Sequence, residues 1–257
     1  MPRNRIGVSL ASYLPWSAFF TRKATRWAEK DGFGFIGMLP LRGSVGITPS
    51  LPISYLEGAW NPVRSLREAL SGQPTGQGLV PNIADWLFFP NPERSQEIFE
   101  AMKIRQPPPV IVVHSIEEWQ KGRLLEVSPR INMETSEIAS WAKKHRAQLV
   151  LDTYHLRRSV WEHLDERGMP LEKWQLLIPR LLPFVKVVHV QPNQGDELSE
   201  IMRGEDTELH KMLRFIRQNG FSGHFMVEAT LGAKGITLWK LRQMLRAMRQ
   251  LVEDNAL

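Results

Sequence analysis

Five short apolar runs in this chain each end in, or just before, a histidine or a carboxylate. They are PVIVVHS (109–115), GRLLEVS (122–128), LVLDTYH (149–155), VKVVHV (185–190) and HFMVEAT (224–230). The ionisable residues they carry are His114, Glu126, Asp152 with His155, His189 and Glu228. A buried strand has little reason to hold such a group unless it is paired, hydrogen-bonded or bound to a metal. Their common position at one end of each run predicts a ring of ligands around a pocket.

Glu126, Asp152, His189 and Glu228 make a set suited to one divalent cation. Without a cation, three carboxylates in one pocket repel one another and their pKa values rise. The chain has no cysteine, so any metal must be held by nitrogen and oxygen. Carboxylate-rich ligation favours Mn2+ first, then Mg2+; the imidazole leaves Co2+, Fe2+ and Zn2+ open.

Each residue has a plainer alternative. His114 reads equally well as a histidine satisfied in a core. His155 lies three residues past Asp152 and reads as a ligand, a group behind the ligands or a substrate contact. Glu57 ends the third strand and either enters the pocket or is solvated. Trp16, Trp60 and Trp86 follow the first three strands on the pocket side, where their faces could pack on a sugar or form a lid. Trp27, Trp141, Trp174 and Trp239 fall in helical stripes and read as core.

The elements that must position these groups alternate regularly. Strands are expected at 5–10, 33–39, 53–60, 109–114, 123–127, 148–152, 185–190 and 224–228. Helices are expected at 17–30, 61–71, 93–105, 134–146, 171–182, 207–218 and 237–252, with a short helical piece at 117–120. The stretch 71–92 is rich in Gly and Pro and reads as a long loop. Repeated strand–helix units imply a parallel sheet, and eight of them in about 250 residues favour a closed (β/α)8 TIM barrel. The segment between strands 2 and 4 is irregular. With no evident linker, residues 1–257 read as one domain. In such barrels the active site lies at the C-terminal ends of the strands.

Composition adds little that is specific. The hydrophobic fraction of 42% and charged fraction of 23% are ordinary for a globular protein. No apolar stretch is long enough to span a bilayer, and the N-terminal run reads as a strand rather than a signal peptide, so the cytoplasm is the expected location. The net charge of +6 raises a polyanionic partner, but the basic residues are scattered over helical faces.

The ordered set, Glu after strand five, D-T-x-H after strand six, His after strand seven and Glu after strand eight, resembles the xylose isomerase-like TIM barrels. These include sugar-phosphate isomerases and epimerases, ketose 3-epimerases and the endonuclease IV group. The resemblance spans essentially the whole chain and is most specific in LVLDTYH. It implies that Glu126, Asp152, His189 and Glu228 bind one metal. It further implies that Glu126 and Glu228 exchange a carbon-bound proton through an enediolate, with His155 near a substrate oxygen. From their own positions after the strands, His114, Glu57, Trp16 and Trp60 are the further candidates for lining the substrate site.

Three departures stand out. The epimerases carry an Asp-Arg pair soon after the strand-seven histidine; HVQPNQGDE (189–197) has no Arg. The Asp-x-His pair of the nuclease group is also missing there. The nuclease's histidine after strand three is replaced by something like Glu57.

The leading expectation is a metal-dependent isomerase or epimerase acting on a small sugar, sugar phosphate or polyol. The alternatives are an endonuclease IV-like phosphodiesterase on damaged DNA and a barrel that binds a ligand without catalysis. A membrane partner is not expected, and a homo-oligomer is left open.

Overall fold

Eight parallel strands hydrogen-bond in sequence order and close on themselves. They are β1 (Ile6–Ser9), β2 (Phe35–Met38), β3 (Ile53–Glu57), β4 (Val110–Val113), β5 (Leu124–Val127), β6 (Gln148–Asp152), β7 (Val185–Val190) and β8 (His224–Val227). The structure is a computed structural model. It describes residues 5–13, 16–38, 49, 51–57, 99–100, 106, 109–128, 131, 133, 135–162, 174–193, 196–229 and 237–257. The expected helices at 61–71 and 93–105, the loop at 71–92, and Trp60 and Trp86 lie wholly or almost wholly outside them.

The described helices are α1 (Trp16–Lys30), α2 (Thr135–His145), α3 (Thr153–Glu162), α4 (Trp174–Leu181), α5 (Asp196–Met202), α6 (Glu208–Gln218) and α7 (Leu238–Ala256). All eight strands expected from the sequence are present, so the (β/α)8 barrel stands. Two helices, α3 and α5, were not expected, and 117–120 forms a turn and an irregular stretch rather than a helix. No described helix is long and apolar enough to cross a membrane.

The alternation of side chains along a strand explains how the barrel sorts its residues. Phe35, Tyr55, Val112, Leu124, Val150, Val187 and Met226 form one buried cluster inside the barrel. Residues of the other parity, such as Val113, Leu125, Leu151, Val188 and Val227, join the larger core beneath the helices. Moving two residues onward from the inner cluster turns Val112 into His114, Leu124 into Glu126, Val150 into Asp152, Val187 into His189 and Met226 into Glu228. The ionisable ring is therefore the next inward layer above an apolar one.

At the other end, aromatic rings fill the barrel. Tyr55 Oη lies 2.5 Å from His224 Nδ1, and the rings of Phe35 and His224 are 5.0 Å apart. Gly7 makes room for this packing, since a side chain there would collide with the Phe35 ring.

The seam between the first and last units is closed electrostatically. Arg242 of α7 donates from Nε and Nη2 to the buried carboxylate of Asp31 at 2.9 and 2.6 Å. Arg246 Nε donates to the same group at 2.8 Å, and the Tyr13 hydroxyl at 3.4 Å. Beside Tyr13, Ser12 Oγ accepts the Ala229 amide at 2.9 Å and so fixes the backbone next to Glu228.

Trp239 departs from the core reading: it is 69% exposed. The buried stripe of α7 runs through Leu241, Leu245, Met248 and Val252, and Trp239 projects about 200° around the helix from Leu241.

Candidate metal centre

Glu126, Asp152, His189 and Glu228 come from four successive strands and meet at their C-terminal ends. His189 lies at the middle of the group. Its Nδ1 is 3.3 Å from Glu126 Oε2, 3.3 Å from Glu228 Oε2 and 4.0 Å from Asp152 Oδ2. Both nitrogens of this buried ring lack a hydrogen-bond partner, so neither carboxylate contact has hydrogen-bond geometry.

Two further histidines flank the group on Glu126. His114 Nε2 is 3.5 Å from Glu126 Oε2, and His155 Nε2 is 3.7 Å from Glu126 Oε1. His155 sits in the first turn of α3, with its amide donating to Asp152 Oδ1 at 2.8 Å. Asp152 thus acts as the N-cap of α3 as well as a member of the cluster.

Exposure separates a floor from a mouth. The Asp152 and His189 side chains are 2% and 1% exposed, whereas Glu228, His114 and His155 are 18%, 21% and 29% exposed. Glu57 is the last residue of β3 and Trp16 the first of α1; their side chains lie outside the described set.

Without a cation the carboxylates do not rise together as the sequence led one to expect: Asp152 is raised, but the neighbouring histidines lower Glu126. Burial pushes Asp152 up, and Glu126 and Glu228 add to that against His155 and His189; its carboxyl is raised from 3.8 to about 6. Burial also opposes ionisation of Glu126, but His114, His189 and His155 outweigh it and lower its pKa to about 2. Burial disfavours the His189 imidazolium, yet Glu126 and Glu228 raise its pKa well above the ordinary value.

A metal fits these residues. Donor atoms of Asp152, His189 and Glu228 lie within 4.8 Å of one another, and so do those of Glu126, Asp152 and His155. Ligands about 2.0–2.2 Å from a shared ion sit up to about 4.4 Å apart, so both triads are near coordination spacing. The unpartnered Nδ1 of His189, which faces Glu126, Asp152 and Glu228, is what an imidazole ligand requires.

Several residues here escaped the sequence reading. Ser128 follows β5 with a buried hydroxyl that lacks a partner. Arg157, almost wholly buried, donates from Nη1 to both carboxylate oxygens of Glu197, at 2.8 and 2.9 Å. The β7 loop, which has no arginine of its own, therefore receives one from α3. The sequence signal was the continuation of the D-T-x-H run at helical spacing into Arg157.

No protein-family model matches the chain, and no curated protein is significantly similar to it. Solved structures do match. A 3-keto-D-glucoside 4-epimerase from E. coli superposes with a TM-score of 0.52 at 12% identity, covering 96% of this chain and 99% of that one. An L-ribulose 3-epimerase superposes with a TM-score of 0.51 at 13% identity, covering 98% and 94%. At such identities the shared property is the fold: this chain has, over nearly its whole length, the barrel architecture in which those sugar epimerases are built.

Proposed function

We propose that this protein is a divalent-metal-dependent isomerase or epimerase of a small sugar or related polyol. The observation that carries the reading is the convergence of Glu126, Asp152 and Glu228 on the buried, unpartnered ring of His189. These four residues would hold the metal, with Mn2+ the first expectation. The bound cation would supply Lewis acidity toward a substrate carbonyl.

The protein's own part is proton handling. Glu228 is the most exposed carboxylate of the ring, which supports assigning it the removal of a proton from carbon. Glu126 contacts the same His189 nitrogen as Glu228 does, and in this reading it is the group that would return a proton on the other face of the substrate. His155 and His114 rim the same opening and are suited to hydroxyl contacts. The apolar layer below excludes water from the floor.

The first test is elemental analysis of the purified protein, before and after chelation and readdition of Mn2+. About one equivalent supports the reading; a protein that takes up no Mn2+ overturns it. The second follows solvent deuterium entering carbon positions of a ketose panel by NMR. Exchange that is Mn2+-dependent and lost in Glu228→Gln is the expected result, and full exchange in that variant would sink the assignment.

One observation favours a second reading, phosphodiester hydrolysis. The two donor triads share Asp152, and His114 stands beside Glu126, as a two-metal site would require. Two zinc equivalents with cleavage of abasic duplex DNA would replace the isomerase reading by this one.

A further inference from the structure

Arg157 has no part in the chemistry above, yet it heads the large side chains that are fully buried among the described residues. Its three nitrogens point three ways. Nε donates to Thr153 O at 3.0 Å, Nη2 to Gln191 O at 2.8 Å, and Nη1 to both oxygens of Glu197 at 2.8 and 2.9 Å. Glu197 in turn accepts the amides of Asn193 and Leu209. A second tie runs alongside: Thr153 Oγ1 donates to Gln191 O at 3.0 Å and accepts the Gln191 amide at 2.9 Å.

The position of these ties is what matters. Thr153 directly follows Asp152 and precedes His155 by two residues; Gln191 follows His189 by two. One guanidinium and one hydroxyl therefore clamp the backbone just beyond the β6 donors to the backbone just beyond the β7 donor. Burying an ion pair is a poor route to stability, since an apolar pair of similar volume serves as well. A planar fork with donors in three fixed directions does serve to fix geometry.

We infer that Arg157 is a positioning residue, holding Asp152 and His155 at a set spacing from His189. Resting on the metal reading above, the inference deepens it by naming what keeps the donor set in register. Lysine at this position retains the charge and can reach Glu197, but one ammonium cannot also meet the carbonyls of Thr153 and Gln191 with the same geometry. Loss of groups that orient metal ligands typically weakens affinity about 10–100-fold.

The experiment is titration of the metal-stripped full-length protein with Mn2+, following the free ion by electron paramagnetic resonance, beside thermal melts without metal. Arg157→Lys and Thr153→Val are compared with wild type and with Tyr55→Phe, which loses the His224 contact at the opposite end of the barrel. The expected result is Mn2+ binding about 10–100-fold weaker in Arg157→Lys and Thr153→Val, and unchanged in Tyr55→Phe despite its lower melting temperature. Wild-type affinity in both clamp variants would overturn the inference while leaving the metal reading intact. If Arg157→Lys does not fold, Thr153→Val alone decides. Absence of Mn2+ binding in the wild type overturns the metal reading itself, and this inference with it.

Discussion

Asp152 and His189 are direct partners across the β6–β7 ladder, and Asp152 Oδ2 lies 4.0 Å from His189 Nδ1. The carboxyl pKa, raised from 3.8 to about 6, makes Asp152 a stability liability in the metal-free protein. The unfolded chain ionises first, so stability is lost as pH rises from about 4 through about 6. Asp152→Asn keeps the oxygen that caps α3 and removes the charge. In urea denaturation of stripped protein at pH 7.5, the variant is expected to be the more stable, with the gap closing near pH 4. Saturating Mn2+ should reverse the order. A variant no more stable than wild type at pH 7.5 would show that Asp152 is not strained by its charge.

Ser128 offers a quieter test. Its buried hydroxyl has no partner, so removing it breaks no hydrogen bond. Ser128→Ala is expected to stabilise by up to about 1 kcal/mol, which for a chain of this size raises the melting temperature by about 2–4 °C. Calorimetry decides, and a fall in melting temperature would mean that the hydroxyl is bound in solution.

The seam at Asp31 predicts a large loss. Its side chain is fully buried and receives Arg242 and Arg246 together. Asp31→Ala leaves Arg242 partly buried without its anion, at an expected cost of about 3 kcal/mol. Chemical denaturation should show the midpoint moving down with an unchanged slope. An effect below about 1 kcal/mol would mean that the cluster only decorates the surface.

His210 gives a pH signature away from the ring. Its Nδ1 faces the Thr207 amide at 3.0 Å and accepts from it at the start of α6. Burial lowers its pKa from 6.5, with Arg214 adding to this against Asp206. The folded state favours the neutral ring, so this contribution is present above pH 6.5 and lost as pH falls below it. His210→Gln should flatten that part of the stability profile; a profile identical to wild type would remove His210 from the account.

Much of this was legible because a strand repeats every two residues. The apolar runs fixed where β4 to β8 lie, and the parity of His114, Glu126, Asp152, His189 and Glu228 placed all five on the inward face. What stayed hidden was the local chemistry past the strand ends. No helix was expected directly after β6 because Asp152 was weighed only as a ligand, whereas its carboxylate also caps α3. The Arg157–Glu197 pair joins residues forty positions apart. Periodicity carries no information about such a contact. Trp239 was misplaced because a helical stripe was read without asking which side of Leu238 it falls on.

The aromatic floor of Phe35, Tyr55 and His224 has a further consequence. It fills the barrel beneath the ring, so among the described residues the open side of the centre is the one where Glu228, His114 and His155 are exposed. In the chemistry proposed here, the proton that Glu228 takes and the proton that Glu126 returns are different ones, so each turnover resets both carboxylates through that open side. The plug below the site would then bear on how fast label exchanges, alongside the carboxylates within it.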